Sequence, residues 1–153
     1  MKKFKFTLQT VHNVRELREE KEKLLFSQLQ AEASKAALRV AEIEIMRSEA
    51  IDNYAGRLKA GEQLNAVEME LNLNHFAALN RLQQEAEKVL EQKKQACQRQ
   101  STAVAAAMRE GKITNRLRET QQERYKSEFE RQEQNNLDEL VSANFARQIP
   151  QTR

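Results

Sequence analysis

Two histidines and one cysteine, His12, His75 and Cys97, are the side chains of this sequence with the widest chemistry. Gathered in one place they could ligate zinc, or a cysteine beside a histidine could act as a nucleophile. Their spacing offers neither. No short Cys/His cluster exists, and Cys97 beside Ala96 reads as a small, half-buried filler. There is no glycine-rich phosphate loop and no G-x-S-x-G elbow. The many carboxylates recur at helical spacing, where they form a solvated face and not a paired acid and base. The sequence therefore predicts no enzyme, no cofactor and no metal. A lone cysteine permits no intrachain disulfide and suits a reducing compartment.

The elements that carry these residues follow from composition. The 153 residues include glycine only at 56, 61 and 111 and proline only at 150, too few to punctuate a compact enzyme. Ala, Gln, Leu, Glu and Lys dominate, and these enter helices at little cost. Long helices are expected; sheets, barrels and disulfide scaffolds are not. The net charge of +3 is far from the excess of a nucleic-acid-binding protein. The basic start, MKKFKF, lacks the apolar core of a signal peptide, and no run approaches the ~20 apolar residues that span a bilayer. A cytosolic location is expected.

Leu29, Ala33, Ala36, Val40, Ile43, Arg47, Ala50 and Tyr54 alternate steps of four and three, the spacing of a coiled-coil seam. Upstream, Val14, Leu17, Lys21, Leu24, Gln28 and Ala31 follow another phase, so a slip is expected near 24–29. A second stripe runs through Leu71, His75, Ala78, Leu82, Glu85, Val89, Gln92 and Ala96, and on to Ile113 and Leu117. Gly56 and Gly61 lie between the two stripes, and Asn65 followed by Glu68 has the spacing of a helix cap with its reciprocal Glu. Neither stripe can be hidden alone. The sequence thus predicts an all-α fold: one domain, a long two-helix antiparallel coiled-coil hairpin with a longer second helix. Helix 1 is expected at about 4–56, a turn at 57–64, helix 2 at 65–146 and a frayed tail at 147–153. The second arm exceeds the first by roughly thirty residues at the same rise per residue, leaving an overhang without an intrachain partner.

Charge is unevenly spread. Residues 61–80 carry three acidic and no basic side chains, whereas 1–26 carry seven basic and four acidic ones. Lys2, Lys3 and Lys5 alternate with Phe4 and Phe6, a pattern that could meet an anionic membrane or an acidic cavity. The plainer alternative, two aromatics folded onto the partner helix, comes first. In RERYKSEFERQEQ, basic and acidic residues alternate at i,i+4, as in a self-stabilised helix or a docking face.

Both ends of the chain together resemble the flagellar export protein FliJ family. FKFTLQTVHNVRELREEKEKLL is similar to that family's opening F-x-x-L segment and charged helix. REGKITNRLRE and RQEQNNLDELV are similar to its distal K-x-x-x-x-L and E-Q-x-x-x-D-E-L motifs. The Gly61 break followed by HFAALNRL also fits, while a terminal valine and Gly111 depart from the pattern.

The resemblance implies a non-enzymatic cytosolic component of the flagellar type III export apparatus, associated with the membrane only through that apparatus. It implies a stalk whose terminal end enters the hexameric export ATPase and promotes its assembly. It further implies contact with the cytosolic domain of the export-gate membrane protein and an escort role towards export chaperones, with neither nucleic acid nor membrane insertion involved. On this resemblance Phe4, Phe6, Leu8, Glu133, Gln134, Asp138 and Glu139 would meet the ATPase ring, and Tyr54, Phe76, Leu79 and Leu82 the gate. For Leu82 a place in the seam comes first, and Tyr54 could equally belong to the seam or to the gate contact. A generic coiled-coil tether or holdase, or an injectisome stalk, would carry the same helices.

Overall fold

The structure, a computed structural model, describes residues 3–148. Lys2 of the basic start and Pro150 with most of the expected tail lie outside the described residues. Two helices account for nearly everything else: α1, Gln9–Lys59, and α2, Ala66–Gln148, with no strand among the described residues. At 51 and 83 residues they form the expected helical hairpin with the longer second helix. Residues 3–8 precede α1. The chain divides into two units, one of Glu20–Ala106 and one holding the segments on either side of it.

The first unit contains the turn. Gly56 stays inside α1, and it is Gly61 that ends the helix, with a φ of +79° that side chains strongly disfavour. Around it the Glu62 amide donates to the Arg57 carbonyl and the Gly61 amide to the Leu58 carbonyl, both at 3.2 Å. This paired closure satisfies carbonyls that the helix leaves bare. The capping box at the start of α2 is present: the Glu68 amide donates to Asn65 Oδ1 at 2.8 Å, and the Asn65 amide to Glu68 Oε2 at 3.1 Å. Arg57 ties the two ends together through Glu62 (2.6 Å) and Glu68 (3.6 Å). The hydrogen bond to Glu62 is the chief reason the Arg57 guanidinium is held even more firmly protonated than usual.

In this unit the α1 seam follows the expected register from Leu29 to Tyr54, with Ala36 and Ile43 buried. The expected phase slip does not occur. The same register extends upstream through Phe26 and Glu22, while Leu24 is 62% exposed. On α2 the seam sits one residue later than the apolar stripe suggests: Phe76, Leu79, Gln83, Ala86, Leu90, Lys93, Cys97 and Gln100 turn inward. Leu71, His75, Leu82 and Val89 are exposed. The physical reason is polar pairing within the seam and, for Lys93 and the exposed Glu32, at its solvent edge. Arg47 Nη1 donates to Gln83 Oε1 at 3.1 Å, Lys93 meets Glu32 at 2.5 Å, and Gln100 Nε2 donates to both the carbonyl and the carboxylate of Glu22. A register that pairs these groups outweighs one that hides a few more aliphatic carbons, because a half-buried polar group without a partner is costly.

In the second unit, the segment before Glu20 packs along the stretch of α2 after Ala106. Phe6, His12, Ala107 and Thr114 are buried there. Gly111 is buried too, at a close approach: a Cβ on it would lie 2.8 Å from Glu19 Oε2. A side chain at this position would have to move that carboxylate, which is the far end of a flexible glutamate.

Candidate partner-binding surfaces

The terminal unit is built around a buried polar pair. The Thr114 hydroxyl donates to the Gly111 carbonyl at 2.9 Å, as a threonine in mid-helix commonly does, and its oxygen lies 3.4 Å from His12 Nδ1. The other ring nitrogen, Nε2, lies 3.2 Å from a Glu16 carboxylate oxygen one helical turn on. Phe6 closes this pocket with its ring edge-on to His12, centroids 6.4 Å apart. Arg15 Nη1 donates to the Glu110 carbonyl at 3.1 Å, and Arg18 approaches the Glu110 carboxylate at 3.5 Å. His12 is thus a satisfied structural histidine, with its hydroxyl partner one hundred and two residues away along the chain.

Phe4 and Phe6 fold onto their own chain. Phe6 is 5% exposed, and the half-buried Phe4 ring lies 5.5 Å from that of Tyr125. Of the three apolar residues expected at this end, Leu8, at 38% exposure, offers the most surface. Beyond Tyr125 nothing among the described residues covers α2: every side chain from Lys126 to Arg147 is exposed. This bare stretch spans about 33 Å of helix at 1.5 Å per residue. Glu133, Gln134, Asp138 and Glu139 lie along it in solvent. So do Leu137, Leu140, Val141 and Phe145, all more than half exposed. That aliphatic and aromatic row is not among the expected contact residues, although its i, i+3, i+4, i+8 spacing in LDELVSANF marks it in the sequence. Arg131 pairs with Glu128 at 3.3 Å, one of the charge pairs that hold an unsupported helix together.

At the turn end of the other unit, Tyr54 and Phe76 pack edge to face with centroids 5.7 Å apart, each half-buried. Tyr54 and Leu79 line a shallow groove with Met46, Arg57, Asn72 and His75. The His75 ring is tilted against Phe76 at 6.3 Å and remains open to solvent, off the seam where the sequence stripe had placed it. Leu79 is buried at 6%, whereas Leu82 is 42% exposed and lines a separate groove beside Arg39 and Ile43. The structure therefore brings Tyr54, Phe76 and Leu79 together and leaves Leu82 apart from them.

Among the described residues no three His, Cys, Asp or Glu side chains gather as a metal site. No helix among them is long and apolar enough to cross a membrane. The surfaces on offer are faces of helices, suited to protein contacts. No curated protein and no solved structure matches the chain. A family model does: that of the flagellar FliJ protein, over residues 4–149. The match takes in the buried aromatic start, the capped turn and the bare distal helix alike, and on that extent the chain belongs to the flagellar FliJ family.

Proposed function

We propose that the protein is a non-catalytic stalk of the flagellar export apparatus, acting on a hexameric export ATPase through its terminal unit. The observation that carries this reading is the uncovered run of α2 from Lys126 to Arg147 in a chain whose family is flagellar. A helix of that length with no intrachain partner gains its stability elsewhere, by mass action with what it binds. Its mixed surface suits a pore. Glu133, Gln134, Asp138 and Glu139 supply exchangeable polar contacts, and Leu137, Leu140, Val141 and Phe145 supply the apolar anchors that make such contacts specific. Leu8 belongs to the same end. Phe4 and Phe6 serve it indirectly, by packing the chain start against Tyr125 and His12. Tyr54, Phe76 and Leu79 are the surface proposed for the cytosolic part of the export gate, with Leu82 a separate contact in the neighbouring groove, and export chaperones are further partners.

The test is ATP turnover by an export-type ATPase, measured with and without the protein, beside a count of rings in negative-stain images. Stimulation accompanied by more hexamers is expected. Removal of residues 126–153 should abolish both effects while the Glu20–Ala106 unit keeps its helical signal. Undiminished stimulation by the truncated chain would remove the arm from the mechanism. No effect of the intact chain on either readout would refute the stalk.

A further inference from the structure

The outer face of α1 is wrong for a helix that meets only one partner. In coiled-coil terms the seam residues of α1 between Phe26 and Arg47 occupy positions a and d, which places Leu24, Ala31, Leu38 and Ile45 at position f, directly opposite the seam. Position f is ordinarily the most polar of the seven. Here Leu24, Leu38 and Ile45 are 62%, 65% and 59% exposed. The corresponding outward positions of α2 in the same unit are Arg81, Lys88, Gln95 and Thr102. The apolar row therefore belongs to α1 alone and repeats every seven residues over about 32 Å of helix, at 1.5 Å per residue. A strict seven-residue repeat is the pattern of a helix that packs along another helix. Beside it, at position b, stand Ser27, Ser34, Ala41 and Ser48, small side chains that let a second helix come close.

We infer that this face pairs with the same face of a second copy of the chain, antiparallel, forming a two-fold dimer through the Leu24–Ile45 row. The charges that flank the row choose the partner and its direction. At position c, Lys21 lies at the start of the row, Lys35 at its centre, and Glu42 and Glu49 towards its end. An antiparallel copy sets Leu24 opposite Ile45 and Ala31 opposite Leu38. Lys21 then meets Glu49 of the other copy and Gln28 meets Glu42, while Lys35 faces itself near the two-fold axis. A parallel copy would instead set these position-c charges against the uncharged Ser27, Ser34, Ala41 and Ser48 of position b and gain no such pairing. The same patch on both subunits is what two-fold association requires. The contact is one helix face in breadth, so it falls in the small, transient class of interfaces, and the dimer forms reversibly with concentration. This inference is independent of the stalk reading, because it uses no residue of the terminal unit.

Sedimentation velocity of the full-length protein over a concentration series tests it. A reversible doubling of mass is expected, and its loss in Leu38→Glu, with helical content by circular dichroism unchanged because the side chain is already in water. The double variant Glu42→Lys/Glu49→Lys should weaken association, and adding Lys21→Glu/Lys35→Glu should restore it. Direction is read in a Cys97→Ser background: Leu24→Cys mixed with Ile45→Cys should form the mixed disulfide in preference to either homodimer. A chain that stays monomeric at every concentration overturns the inference. So does a dimer that survives Leu38→Glu, or cross-linking that favours the two homotypic disulfides.

Discussion

His12 and Thr114 show how a residue with catalytic potential is retired into architecture. Both are almost wholly buried, at 3% and 1% exposure, and Thr114 Oγ1 is the polar atom that faces the buried His12 Nδ1. Thr114→Val preserves shape but leaves the imidazole Nδ1 facing carbon. The expected cost is about 1–3 kcal/mol, the penalty of a buried polar atom left unpaired, read from urea unfolding; Thr114→Ser should recover most of it. A loss no greater than for a surface threonine would show the pair to be idle. A second residue-scale prediction concerns Glu32, whose carboxyl is held below its ordinary 4.5, first by the hydrogen bond from Lys93 and then by that ammonium's charge. A carboxylate depressed on folding stabilises the folded state above its unfolded pKa, and that contribution is lost as pH falls through the folded value. The pair is in solvent, so the effect is small. Acid titration followed by circular dichroism should show a slightly shallower loss of helix below pH 4.5 in Glu32→Gln than in the parent.

Between elements, the decisive fact is which face of each helix meets the other. Ile43 is 1% exposed on α1 and Leu38 is 65% exposed five residues earlier. Ile43→Ala should therefore cost about 2–4 kcal/mol in thermal or chemical unfolding, against less than about 0.5 kcal/mol for Leu38→Ala measured on the monomer at low concentration. Equal costs would contradict the register. The helices, their order, the capped turn and the α1 seam from Leu29 to Tyr54 were all legible in the sequence, because spacing and capping chemistry are local signals. The α2 seam was not. Leu82 and Val89 looked like seam residues by hydrophobicity, but Gln83, Lys93 and Gln100 hold the inward positions through partners on α1, and pairing across helices leaves no trace in one helix's periodicity. The supposed slip near Leu24 had the same origin: the apolar residues there mark an outer face, not a displaced inner one. At the candidate surfaces, the acidic residues of the distal arm were found by resemblance, whereas the Leu137–Phe145 row required seeing that nothing covers it.

At the scale of the molecule, five buried apolar residues and two long helices among the described residues mean that little is held by a core and much by continuous, repetitive pairing. Such a chain begins to fold where closing a loop is cheapest. The turn at Gly61 joins helices only six residues apart, and its left-handed backbone and reciprocal cap are complete without any distant contact. It is the natural starting point of a zipper. Gly61→Ala meets no atom within 4 Å, so its cost is the backbone conformation alone, about 1–2 kcal/mol. That cost should appear almost entirely as slower refolding in stopped-flow measurements, with the unfolding rate nearly unchanged. The one glycine with a left-handed backbone would then act as a timing element, setting how quickly the helices find each other and with which residues aligned.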